Sequence, residues 1–82
     1  MSWNYRIIAT ASKLNSYHEY SIHEVYYDEN GIINSWTENS VGAHGDSKQE
    51  LQEDLQRMLK ASTLPVLKEI DGKLVEFNEV TV

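Results

Sequence analysis

No cysteine occurs in this 82-residue chain, which removes disulfide staples and thiolate metal sites together and points to a cytoplasmic setting. Basic residues are scarce. Seven Lys and Arg stand against thirteen Asp and Glu, for a net charge of −6. The seven, at positions 6, 13, 48, 57, 60, 68 and 73, form no dense run, which argues against direct contact with a nucleic-acid backbone. No apolar stretch approaches the roughly 20 residues of a membrane span, and residues 1–6 lack the basic-then-apolar pattern of a signal peptide. The reading is a cytoplasmic, acidic protein with no membrane contact. The length allows one domain over residues 1–82, with an ordered core over about residues 3–70. A chain this short buries only about 60–65% of its unfolded surface, so its stability is modest or supported by self-association.

What is present reads as α+β. Residues 5–10 are rich in β-formers and give a first strand, and residues 13–16 a polar turn. Residues 17–27 carry four tyrosines with Ile22 and Val25 and predict a long second strand. Asp28-Glu29-Asn30-Gly31 is a hairpin turn in which Gly31 takes positive φ, in either a two-residue or a bulged three-residue form. Residues 32–38 return antiparallel. The bulged form is preferred, because it gathers Ile22, Tyr26, Ile32 and Trp36 on one face, with Glu24 among them, and leaves His23, Val25, Tyr27 and Ile33 on the other. The two-residue form would move Trp36 to join Val25 and Tyr27.

A loop holding Gly42 and Gly45 leads to Ser47-Lys48-Gln49-Glu50, which has the form of a capping box with the Glu50 carboxylate reaching back to the Ser47 amide. Leu51, Leu55, Met58 and Leu59 follow as a single apolar stripe, with Gln52, Glu53, Gln56, Arg57 and Lys60 facing away and Glu53 spaced to pair with Arg57. Pro65, the one proline, stops the helix from continuing. Residues 66–70 and 73–77 flank Asp71-Gly72 as a second hairpin, one strand of which is available to extend the main sheet; the last five residues are expected to fray. The fold expected is β-β-β-α, a three-stranded antiparallel sheet packed on one amphipathic helix, with a short C-terminal strand or hairpin.

No constellation for catalysis stands out. His18 and His23 point to opposite faces of a strand, and His44 sits in a glycine loop with Asp46 two residues on, so no metal site or cofactor is read from them. His23 and Glu24 also face opposite ways. No serine sits in a Gly-x-Ser-x-Gly elbow, and Asp46 and Glu50 would repel a phosphate from the helix start. Asp28 and Glu29 lack the alternating oxygen donors of a calcium loop. The aromatics alternate with Glu19, Glu24, Asp28 and Glu38 rather than with bases, which suits packing better than base stacking.

Both faces of the second strand carry large apolar residues, and one helix covers one face. The helix-free face, with Arg6, His23, Val25, Tyr27 and Thr37 as candidates, then marks a site for a protein partner or a second copy. Residues 22–31, then Trp36-Thr37-Glu38-Asn39, the helix of residues 51–59 and Pro65-Val66-Leu67 resemble a family of small uncharacterised bacterial proteins, which implies a cytoplasmic bacterial protein. The strand-strand-strand-helix order with Gly45-Asp46-Ser47-x-x-Glu50-Leu51 looks like the RNase H-like module of HicB-type antitoxins, which implies toxin binding and oligomers, although a C-terminal DNA-binding segment is lacking. The expectation is a non-enzymatic interaction module. The alternatives are a small-molecule binder or enzyme using the His44 loop, and an acidic nucleic-acid mimic or antitoxin-like inhibitor.

Overall fold

The computed structural model describes residues 2–11 and 18–77, His18 through its backbone alone. The polar turn expected at residues 13–16, the strand start at Tyr17 and the fraying of residues 78–82 lie outside the described residues. The architecture is α+β, and the sheet is larger than the three antiparallel strands expected. Five strands, β1 (Ser2–Ala11), β2 (His18–Tyr27), β3 (Ile33–Trp36), β4 (Leu67–Ile70) and β5 (Lys73–Glu76), stand in the order β3-β2-β1-β4-β5 with one helix, α1 (Lys48–Ala61). β1 and β2 pair antiparallel along their whole length, from Ser2 opposite Tyr27 to Ala11 opposite His18. β4 joins β1 in parallel, Ile8 opposite Leu67, so the sheet is mixed. Asp71 and Gly72, at φ 52° and 79°, close the β4–β5 hairpin in the doubly left-handed turn whose twist matches its strands.

The first hairpin contains both of the registers the sequence allowed. Asp28 and Ile32 are opposite each other, the Asp28 amide donating to the Ile32 carbonyl at 2.8 Å, and the Asp28 carboxylate accepts from the amides of Asn30 and Ile32. Gly31 lies at φ 78°, as a bulged three-residue turn requires. Tyr27 accordingly faces Ile33. One residue further the register slips: Tyr26 faces Ser35 and Val25 faces Trp36. Asn34 is the extra residue, and this second bulge carries Trp36 to the side of Val25 and Tyr27. The expectation that Trp36 shares a face with Ile22 and Tyr26 is therefore corrected.

Alternation along β1 and β2 builds two cores. The helix side gathers Tyr5, Met58 and Ala61, with Ile7, Ile22, Val41 and Ala43 packed against them. The other side gathers Ile8, Val25, Leu67 and Leu74, with Tyr27, Ile33 and Trp36 around them. In this second core Leu74, from edge strand β5, and Trp36, from edge strand β3, belong to one cluster. The sheet curls until its two edges share a cleft of about 420 Å³ lined by Ile33, Trp36, Lys73 and Leu74. Val25 lies at the centre of the concave side with no exposed surface.

Val25→Ala should therefore cost about 2–3 kcal/mol, from lost burial plus the cavity left behind. For a domain of this size that lowers Tm by roughly 8 °C or more. Val75→Ala, on the outer side of β5 and 39% exposed, should cost less than about 1 kcal/mol. Thermal unfolding of the two variants checks the assignment of the concave core.

Candidate functional site

The helix starts as its sequence predicts and then presents an unexpected face. Ser47 is the N-cap, its hydroxyl accepting from the Glu50 amide at 3.1 Å. The Glu50 carboxylate reaches past Ser47 and accepts from the Asp46 amide at 2.8 Å. Gly45 packs so closely beneath this first turn that a Cβ there would lie 2.4 Å from the Leu51 nitrogen. The residues buried on α1 are Asp54, Met58 and Ala61. Of the expected apolar stripe, Leu51, Leu55 and Leu59 are 37, 51 and 70% exposed, and Met58 alone reaches the core. At 3.6 residues per turn, the helix is rotated by roughly a quarter turn from the orientation its leucines favour.

Asp54 accounts for the rotation. Its Oδ1 accepts from the Tyr5 hydroxyl at 2.6 Å, its Oδ2 from the His44 amide at 2.9 Å, and Arg57 donates to Oδ1 at 3.2 Å. Arg57 therefore serves Asp54 rather than Glu53, which instead accepts from Gln49 at 3.4 Å. The Tyr5 hydroxyl first and the His44 amide second hold the Asp54 carboxyl below its usual range, against the effect of its burial. Burial first, then the hydrogen bond to Asp54, pushes the Tyr5 phenol up to about 12.

Four of the five candidates, Arg6, His23, Val25 and Tyr27, share the concave side of the curl, whereas the second bulge that brings Trp36 there places Thr37 opposite Glu24 instead, which corrects its expected place on that face. Val25 and His23 are buried, and Arg6, Tyr27 and Thr37 are half-buried. Arg6 donates to the Tyr27 hydroxyl at 3.1 Å and to the Pro65 carbonyl at 2.7 Å, and Tyr27 donates to Asn4 at 2.7 Å. The His23 ring lies between the Thr37 carbonyl, 2.8 Å from Nδ1, and the Ser21 hydroxyl, 2.9 Å from Nε2. A carbonyl only accepts, so Nδ1 carries a proton and donates it to Thr37, and the Ser21 hydroxyl, which can donate or accept, completes the ring's partners at Nε2. Thr37 itself sits opposite Glu24, whose amide donates to the Thr37 hydroxyl. The arrangement closes β2 onto the segment after β3, and Leu67 and Leu74 of the β4–β5 hairpin pack against Val25 and Tyr27.

His44 exposes its side chain beside Asp46, 3.8 Å away and equally open to water, a pair worth little in solution. Among the described residues no three His, Asp or Glu side chains converge as metal ligands, and no helix is long and apolar enough to cross a membrane. The exposed feature that sequence reading missed is the leucine ridge of α1. Its signal was the second stripe at 54, 58 and 61, which competes for the sheet. No family model matches this chain, and no curated protein or solved structure is significantly similar to it.

The Tyr5–Asp54 contact makes stability depend on pH at both ends. Asp54, held low in the fold, contributes fully above its unfolded pKa near 3.9 and loses that contribution as the pH falls through its folded value. Tyr5, held high, contributes fully below its unfolded value of about 10 and loses the contribution as the pH rises from there to about 12. Tyr5→Phe should remove Tyr5's share of the alkaline loss, leaving that of Tyr26, whose phenol is raised by its hydrogen bond to Glu24, and cost about 1–2 kcal/mol at neutral pH. Urea unfolding at pH 7 and at about pH 11 checks both.

Proposed function

We propose that this protein is a non-enzymatic interaction module whose contact surface is the leucine ridge of α1, and that its partner is a second copy of itself. The observation that carries the reading is the exposure of Leu51, Leu55 and Leu59 in a row along one helix face. Burying what they expose would contribute roughly 2–5 kcal/mol. A chain of 82 residues has little stability to forgo. Sequence alone put the contact on the helix-free face; the burial of Val25 and His23 favours the ridge instead.

Charge favours a second copy. Helical spacing places Lys48, Gln52 and Gln56 along the solvent side of the ridge, while Glu50 and Glu53 lie across the helix. The ridge is thus bordered by no carboxylate on that side, although the chain as a whole carries −6. Two copies meet there without the repulsion their net charges would impose elsewhere. A two-fold contact needs one self-complementary patch, and residues at i, i+4 and i+8 form the kind of ridge that packs against its own copy at a crossing near −50°. With the helices opposed, Leu55 sits at the axis, Leu51 meets Leu59, and Lys48 lies near the carbonyl end of the other helix, where positive charge is favoured. A standard interface needs about 800 Å² from each copy, roughly an eighth of the 6386 Å² surface, so a helix of this length gives a weak, reversible dimer.

Sedimentation equilibrium should show a monomer–dimer equilibrium with a Kd of about 1–100 µM that persists in about 0.5 M salt. Leu55→Glu should weaken it at least tenfold, with Tm at low concentration unchanged because Leu55 is half exposed. A chain that remains monomeric to about 1 mM, or a dimer indifferent to Leu55→Glu, overturns the reading.

A further inference from the structure

On the flank of α1 away from the ridge lies a cleft of about 220 Å³, walled by Trp3, Tyr5, Arg57, Lys60, Ala61 and Leu64. Its base is apolar: Ala61 is fully buried, and Trp3 stands edge-to-face on Tyr5 with centroids 5.1 Å apart. Trp3 keeps 46% of its surface exposed, so its ring is open to a ligand on the side away from Tyr5. Two of the seven basic residues of an acidic chain converge here. Arg57 gives one N–H to Asp54 and keeps 54% of its side chain exposed, and Lys60 forms no ion pair among the described residues. Asp54 offsets one of these charges and Glu24, opposite Tyr5 on β2, acts on the Tyr5 side of the cleft, so the positive charge is concentrated at the Arg57–Lys60 edge.

The opposing influence is the carbonyl end of α1, which disfavours anions. Here it is already satisfied. The Leu59 and Lys60 carbonyls each accept from a backbone amide and a hydroxyl, of Ser62 and Thr63 respectively, and the Ala61 carbonyl accepts from the Leu64 amide. The cleft has room for roughly seven to ten non-hydrogen atoms, taking a water's share of ≈30 Å³ as the upper volume of one.

We infer that this cleft binds a small apolar carboxylate, its ring or branched chain against Trp3, Ala61 and Leu64 and its carboxylate between Arg57 and Lys60. Such a group is either a free acid or the C-terminal residue of a peptide; both present the same chemistry. Placement on the flank opposite the ridge leaves both copies of a dimer able to bind.

Titration of the labelled protein with benzoate, followed by amide and indole N–H resonances, tests the site. The expected result is saturable binding with a Kd of about 0.1–1 mM, with the largest shifts at the Trp3 indole and the amides of residues 60–64. Benzamide, its neutral analogue, should bind at least tenfold more weakly. Lys60→Gln should weaken benzoate about fivefold or more at unchanged Tm, and Lys60→Arg should restore it. A short peptide ending in phenylalanine with a free carboxylate separates the sources: binding tighter than benzoate assigns the site to chain ends, and weaker binding assigns it to free acids. Shifts that fail to saturate by about 20 mM, that centre elsewhere, or that are equal for benzamide overturn the assignment.

Discussion

The hydrogen bond between Tyr5 and Asp54 is the constraint from which the surface of this protein follows. An ionised carboxylate can leave water only if donors replace its hydration. The fold supplies three: the Tyr5 hydroxyl, the His44 amide and Arg57. All three lie where the first strand, the glycine loop and the helix meet. Once Asp54 is committed to that point, the helix is held at one angle about its axis. Met58 and Ala61 go inward with it, and the leucines turn outward. Replacing a buried, paired carboxylate with apolar groups is often neutral or stabilising. The arrangement is therefore not what the stability of a monomer alone requires, and its structural consequence is the outward turn of Leu51, Leu55 and Leu59.

The concave side follows a different logic. A three-stranded sheet with one helix would leave Val25, Tyr27 and Ile33 facing water. The parallel addition of β4 to β1 and the curl of β5 toward β3 enclose them instead. The same curl turns the two edge strands toward each other, so that their unpaired backbone groups are less available to a foreign strand. Arg6 fastens the closure by bridging Tyr27 on β2 to Pro65, just ahead of β4.

What could be read from the sequence was what is decided locally. Ser47 caps its own helix, Gly31 closes its own turn, and Asp71-Gly72 defines its hairpin, each within a few residues. The features that escaped reading depend on distant partners. Asn34 looks like any other strand residue until the Val25–Trp36 pairing shows it to be surplus. Asp54 meets its partner 49 residues away, and the helix carries two competing stripes whose outcome that partner decides. Leucine content favoured one stripe, while a hydrogen bond selected the other. The candidate face was read against three strands, whereas β4 and β5, from residues 67–76, pack against its Val25 and Tyr27.

The parallel pairing of β1 with β4 also bears on how the chain reaches this state. Each hairpin closes over a short stretch of chain, and both can form early. The contact that unites them, Ile8 with Leu67 and Arg6 with Pro65, spans 59 residues, with the whole helix in the intervening loop. Closing that loop carries most of the entropic cost, and the contact becomes available only once residues 65–68 have joined the chain. Until then β1 has one bare edge and the concave core is open. The β4–β5 hairpin completes the sheet begun by β1 and β2.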